Sequence, residues 1–223
     1  MMYKSSKMPI PVLSLATVTY TSFILMGSLC LRSGISFAVF QEHGISSSWT
    51  GFIECSIIAG YITSFLLGMD TKVLSRFTTR QCWMGLCITA TCALLVNGFI
   101  FCIHHRSTIL VVSVVTRALQ GANGYIATMM VVDSLKLLAP EKFDSLLGLV
   151  GAAQMLGMTL SVTICNLIVD NLGYTPAFVI FAALALVALG ICFAFLPTGP
   201  TFCSTSTRPE VNFLLYLRRF KID

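Results

Sequence analysis

The chain has 223 residues, 56% of them hydrophobic and 10% charged, with a formal net charge of +5. Soluble domains carry about 25% charged residues, so too little polar surface remains for a water-facing fold. The basic residues are scattered between apolar segments and form no patch, which excludes nucleic acid as a partner.

Six apolar segments follow one another, at 11–40, 49–67, 82–103, 108–138, 145–168 and 175–196. Each holds roughly 20 residues or more, enough to cross a hydrocarbon core of ~30 Å at ~1.5 Å per residue. The pattern predicts an all-α membrane protein of six transmembrane helices in a lipid bilayer. Its expected divisions are a cytoplasmic N-terminus at 1–10, a six-helix bundle at 11–198 and a cytoplasmic basic tail at 199–223.

Lys4 and Lys7 precede the first segment, whose apolar run is too long for a cleaved signal core of about 7–15 residues. Lys72, Arg76 and Arg80 lie between the second and third segments, Lys136 and Lys142 between the fourth and fifth, and Arg208, Arg218, Arg219 and Lys221 after the sixth. The opposite loops carry only Arg106. Cytoplasmic loops hold the Lys/Arg excess, so both termini are expected in the cytoplasm.

Pro140 with Glu141 suits the first turn of the fifth helix, and Thr175 with Pro176 suits an N-cap and first position of the sixth. The stretch 211–221 alternates apolar and basic residues, so it reads either as a helix lying on the membrane surface or as a disordered basic tail. Nine cysteines fall mostly within the apolar segments, where Cys serves as a small apolar side chain. No Cys-x-x-Cys pair occurs, and the adjacent His104 and His105 lack further ligands. Neither a metal nor another cofactor is expected. Nothing resembles a nucleophile with its base, so an enzyme is not expected either.

Ionisable groups within lipid are costly and mark candidate sites. Arg117 lies near the middle of the fourth segment, while Arg32 and Glu54 lie in the outer parts of the first and second. The turn joining those two segments centres near His43, and Arg32 and Glu54 each stand eleven residues from it. Similar depth on neighbouring antiparallel helices predicts an Arg32–Glu54 ion pair, serving either to lock the hairpin or to line an outward vestibule. Asp133 is expected to pair with Arg76 or Arg80 on the cytoplasmic side. Gly148, Gly151 and Gly157 are expected to let helices pack closely. Asn97, Asn123, Gln154 and Asn166 could line a cavity or bridge helices.

Arg117 opens the string Arg117-Ala118-Leu119-Gln120-Gly121-Ala122-Asn123-Gly124, in which Gln120 and Gly121 share its helix face. This string resembles the fourth-span motif of the major facilitator superfamily, found especially in proton-coupled drug and amine antiporters. The layout around Gly44-Ile45-Ser46, Pro140-Glu141-Lys142, Leu172-Gly173-Tyr174 and Leu196-Pro197 is similar to the N-terminal half of the vesicular amine and polyamine transporter group. The resemblance implies a secondary carrier of a small organic solute. It places Arg117 in proton coupling near a central cavity. Gln120 on the same face, and the membrane-embedded Arg32 and Glu54, are expected on the same substrate or proton path. Gly121 and Gly124 are expected to clear space for a neighbouring helix or for substrate. The resemblance also implies a second six-helix half as partner, either missing sequence or another chain, without which Arg117 and Gln120 would face lipid.

The switch motif after the second span is kept at Gly68 and Arg76, but Lys72 stands where its aspartate belongs, Asp70 comes two places early and Ser75 replaces a glycine. The fifth span, at 161–166, has neither the proline nor the glycines of the antiporter string. Two arginines against one glutamate suit an anion better than a polyamine. A half-length protein that binds or regulates a partner is the alternative reading.

Overall fold

A computed structural model describes residues 12–33, 35–68, 77–103 and 105–196. The expectations placed on Lys4, Lys7, Asp70, Lys72, Ser75, Arg76, His104 and the 211–221 tail lie outside the described residues.

Among the described residues seven α-helices run in chain order: α1 (Val12–Cys30), α2 (Ser36–Glu42), α3 (Ser47–Gly68), α4 (Thr79–Gly98), α5 (Arg106–Leu138), α6 (Phe143–Leu172) and α7 (Tyr174–Phe195). Six of them, all but α2, are long and apolar enough to cross a membrane. Several of their serines and threonines satisfy their hydroxyls on the preceding turn, as Thr17 does on Leu13 O at 2.8 Å and Thr91 on Cys87 O at 2.8 Å. In lipid, where water cannot serve them, this makes such polar residues tolerable within a span.

The first apolar segment is not one helix. α1 stops at Cys30 and the chain turns, with Ser33 N donating to Cys30 O at 3.0 Å and Ile35 N to Arg32 O at 3.1 Å, before α2 begins. The third segment likewise ends early, in a separate 3-10 turn at Ile100–Cys102. Hydropathy alone could not find either break, because apolar residues continue across both.

Other boundaries follow local chemistry. Thr78 caps α4 through a capping box with Gln81, two reciprocal bonds of 3.2 and 2.9 Å. Pro140 opens a 3-10 turn at Pro140–Lys142, one step before α6 proper. Thr175 is not the cap of the last helix: α7 starts at Tyr174 after Gly173, and the Thr175 hydroxyl donates to Gly98 O at 2.9 Å, joining it to the end of α4. Gly173 carries the whole α6–α7 reversal at φ 91°, a conformation that disfavours any side chain. Arg106, expected in a loop, is the first residue of α5.

The helices pair chiefly as α3 with α5, α4 with α7 and α1 with α6, and α1 also touches α4, α5 and α7 from its central position. Three apolar clusters hold them: one around Trp83, Met130 and Leu135, one around Phe178 and Ala185, and one around Phe40 and Ile53. Trp83 Nε1 donates to Ser134 Oγ at 3.0 Å, tying α4 to α5. Glycines set the closest crossings. A Cβ at Gly60 would strike the Ala118 carbonyl, and one at Gly121 the Ile57 carbonyl, so α3 and α5 touch backbone to backbone. Gly124 faces Leu29, and Gly157 lies 2.5 Å (as a built Cβ) from Phe23 O on α1. Gly148 and Gly151 face open space within 4 Å, which corrects the packing role expected of them.

The eight described cysteines are all free thiols. Of the arginines expected beside Asp133, Arg76 lies outside the described residues, and Arg80 lays its guanidinium 4.2 Å from the Phe193 ring centroid.

Candidate functional site

The break after α1 builds the site. Where a helix stops, its last carbonyls have no partner within the helix, and the helix dipole leaves partial negative charge there. Arg117, the twelfth residue of α5, reaches this end. Its Nη1 donates to Leu29 O at 2.6 Å and to Gln120 Oε1 at 3.0 Å, and its Nη2 to Ser33 Oγ at 2.8 Å. Nε donates to Glu54 Oε2 at 3.0 Å, and Nη2 also meets Glu54 Oε2 in a very short contact. All five guanidinium N–H groups therefore have acceptors.

That satisfaction decides whether the charge can be buried. An arginine at the centre of a span costs about 2.5–3.5 kcal/mol on insertion scales. Hydrogen bonds involving a charged group contribute about 1.5–3 kcal/mol each, so five of them offset the cost. Arg117 is 1% exposed and Gln120 2%. Neither faces lipid, contrary to the expectation that an isolated half would leave them bare.

Arg32 lies in the turn after α1 and is fully buried. Its Nη1 donates to Asn97 Oδ1 at 2.7 Å and its Nη2 to Ser113 Oγ at 3.1 Å, and its guanidinium carbon lies 4.5 Å from the Phe40 ring centroid. Asn97 is held in turn by Ala93 O at 2.8 Å and accepts from Thr116 Oγ1 at 3.2 Å. Arg32 Nε stands 3.9 Å from Glu54 Oε1, within ion-pair range but beyond a hydrogen bond. The expected Arg32–Glu54 pair is thus the lesser of two: the intimate partner of Glu54 is Arg117.

Three residues from three elements converge, and the sum of two guanidiniums and one carboxylate is one positive charge. The Glu54 side chain is 20% exposed, against 1% for each arginine. It is the one member that reaches the bundle's surface, on α3, a helix only lightly covered by its neighbours.

Sequence reasoning named Arg117, Gln120, Arg32 and Glu54, and the fold gathers all four. It missed Ser33, Ser113, Phe40 and the Leu29 carbonyl. Ser113 stands one helical turn before Arg117, a spacing that could have marked it. Nothing in the sequence could mark Leu29, because its backbone rather than its side chain is used. Gly121 and Gly124 belong to the packing around this site. Of the switch-motif residues, Gly68 ends α3. Asn123 bonds Thr89, at 2.8 and 3.0 Å, and is not joined to the cluster.

A concavity of about 830 Å³ opens at the end bearing α2 and the α6–α7 turn, between Glu42, His43, Phe101, Asn166, Asp170 and Tyr174. Phe101 stacks on His43 with centroids 4.0 Å apart and meets Tyr174 edge-on at 5.0 Å, closing the inner wall.

Six spanning helices around a charged cluster at depth define a multi-pass integral membrane protein. The Major Facilitator Superfamily matches over residues 12–218, and the chain belongs to that family, whose members are membrane transporters. No curated protein matches the chain.

Proposed function

We propose that the chain supplies one six-helix unit of a secondary active carrier for a small organic solute, with both termini in the cytoplasm. The observation that carries this reading is the Arg117–Glu54–Arg32 cluster. A purely structural bundle gains little from two buried arginines, since well-packed apolar residues hold helices together at lower cost. A carrier needs such groups at depth, where the solute site lies between two bundles that rock against each other.

The unit works with a second six-helix half, as further sequence or as another chain. The support lies in α3 and α6, which are the least covered helices and yet carry polar groups. Glu54 is partly exposed on α3. These faces are where a partner half would close the cavity. A drug:proton or vesicular amine type of exchange draws support from the Arg117–Gln120–Gly121 string and from Glu54 as a protonatable group. The net positive charge of the cluster favours an anionic or neutral solute over a cationic amine.

Solute flux into proteoliposomes tests the proposal, with a panel of small organic acids, amines and neutral solutes driven by imposed proton or sodium gradients. Gradient-dependent uptake of one class, lost in Arg117→Ala, is the expected result. A correctly folded protein that moves none of them, with or without a second six-helix unit, overturns it and leaves the partner-binding reading.

A further inference from the structure

The two arginines are built alike. Each is anchored by uncharged acceptors on its terminal nitrogens: Leu29 O, Gln120 and Ser33 for Arg117, Asn97 and Ser113 for Arg32. Each then turns its Nε toward the same carboxylate, on Glu54 Oε2 for Arg117 and 3.9 Å from Glu54 Oε1 for Arg32. Arg32 Nε and Glu54 Oε1 are both buried atoms with no hydrogen-bond partner. Closing the gap to a normal charge-assisted bond of about 2.8 Å requires a movement of about 1 Å. Glu54, partly exposed, has the freedom to make it, whereas the arginines are pinned.

The α3–α5 crossing does not yield to such a movement. Gly60 against Ala118 and Gly121 against Ile57 leave no space for sliding, so a transfer of Glu54 is a side-chain rotation. After it, Arg117 keeps Leu29 O, Gln120 and Ser33, and it loses its anion on the Nε–Nη2 edge. That edge is the bidentate face that a carboxylate fits.

We propose that Glu54 is an internal stand-in for an anionic group of the solute. In the empty site it occupies the Nε–Nη2 edge of Arg117. When a carboxylate or comparable oxyanion arrives there, Glu54 passes to Arg32. The charge count favours this: two guanidiniums and Glu54 leave one positive charge in the empty site, and one solute anion brings the sum to zero. A buried site is cheapest when neutral. Arg32 is then a positioning residue whose role is to receive Glu54. This deepens the carrier reading and rests on it, because it names the class of solute.

Benzoate and benzylammonium, alike in shape and opposite in charge, serve as probes for the purified protein in lipid nanodiscs, with binding followed by calorimetry and melting temperature. Benzoate is expected to bind and raise the melting temperature, and benzylammonium not to. Glu54→Gln, nearly isosteric, frees the Arg117 edge and is expected to tighten benzoate at least tenfold. Arg32→Gln, which leaves Glu54 on Arg117, is expected to weaken it at least tenfold, with Arg32→Lys recovering part of the loss. An arginine that only supported the fold would lower the melting temperature without moving benzoate affinity in a folded Arg32→Lys or Glu54→Gln protein. Unchanged benzoate affinity in Glu54→Gln, or preference of the wild type for benzylammonium, overturns the proposal. Binding that follows this pattern without any flux in proteoliposomes overturns the carrier reading alone.

Discussion

Arg117 Nη1 donates to the carbonyl oxygen of Leu29 at 2.6 Å, so a side chain of α5 closes the open end of α1. The contact makes one residue responsible both for the end of a helix and for a carboxylate on a third element. Arg117→Lys keeps the charge but offers three donors from a point in place of five in a planar fork. The bonds of Arg117 reach four acceptor atoms, Leu29 O, Gln120 Oε1, Ser33 Oγ and Glu54 Oε2, so at least one is left unpaired at about 1–3 kcal/mol. Thermal unfolding in detergent should show a loss of about 1–3 kcal/mol, with Arg117→Ala worse because Glu54 then faces only the more distant Arg32 Nε.

The glycine crossings make a sharper contrast. Gly60→Leu and Gly121→Leu each place a side chain where the opposite helix has its backbone, so α3 and α5 must separate and the cluster between them must open. Both proteins should express poorly and melt well below the wild type. Gly148→Ala meets nothing within 4 Å and should be neutral or stabilising by up to about 1 kcal/mol, the helix-propensity difference. Equal damage from all three would show that glycine content, and not this crossing, is what matters.

Asn97 separates the two arginines energetically. It gives Arg32 a neutral acceptor at 2.7 Å and takes a bond from Thr116. Asn97→Leu strands one arm of a buried guanidinium and should cost about 2–3 kcal/mol. Asn97→Asp supplies Arg32 with its own counter-ion and should be far better tolerated. The same change should reduce any pull of Arg32 on Glu54, and flux measurements on the Asn97→Asp protein should therefore fall even where its melting temperature does not.

Gly173 joins two spans at φ 91°. No neighbour blocks a side chain there, so Gly173→Ala isolates the backbone term. A loss of about 1–3 kcal/mol is expected for an L-residue held in that region, read as a lower melting temperature with solute binding unchanged.

Much of this architecture is legible in the chain itself. Lipid demands about twenty apolar residues per span, and that demand writes six segments into the sequence without help from tertiary contacts. The cost of charge in lipid equally singles out Arg32, Glu54 and Arg117 before any coordinates are known. Partner choice is not legible in the same way. Equal spacing from the His43 turn favoured Arg32 for Glu54, but the closest contact went to Arg117, whose position depends on how tightly Gly60 and Gly121 bring α3 and α5 together.

The break after Cys30 shows the limit most clearly. Apolar residues run on through Leu31 and Ile35 to Phe40, so hydropathy, which averages over side chains, reads one continuous span. What ends α1 is a set of backbone bonds and an arginine 88 residues away that accepts the burden of an orphan carbonyl. The sequence by itself determined the membrane class, the number of spans and the costly residues, because those depend on transfer of side chains into lipid. Only the tertiary structure decided which arginine holds Glu54, since hydrogen-bond partners depend on distances of a few tenths of an ångström between elements far apart in the chain.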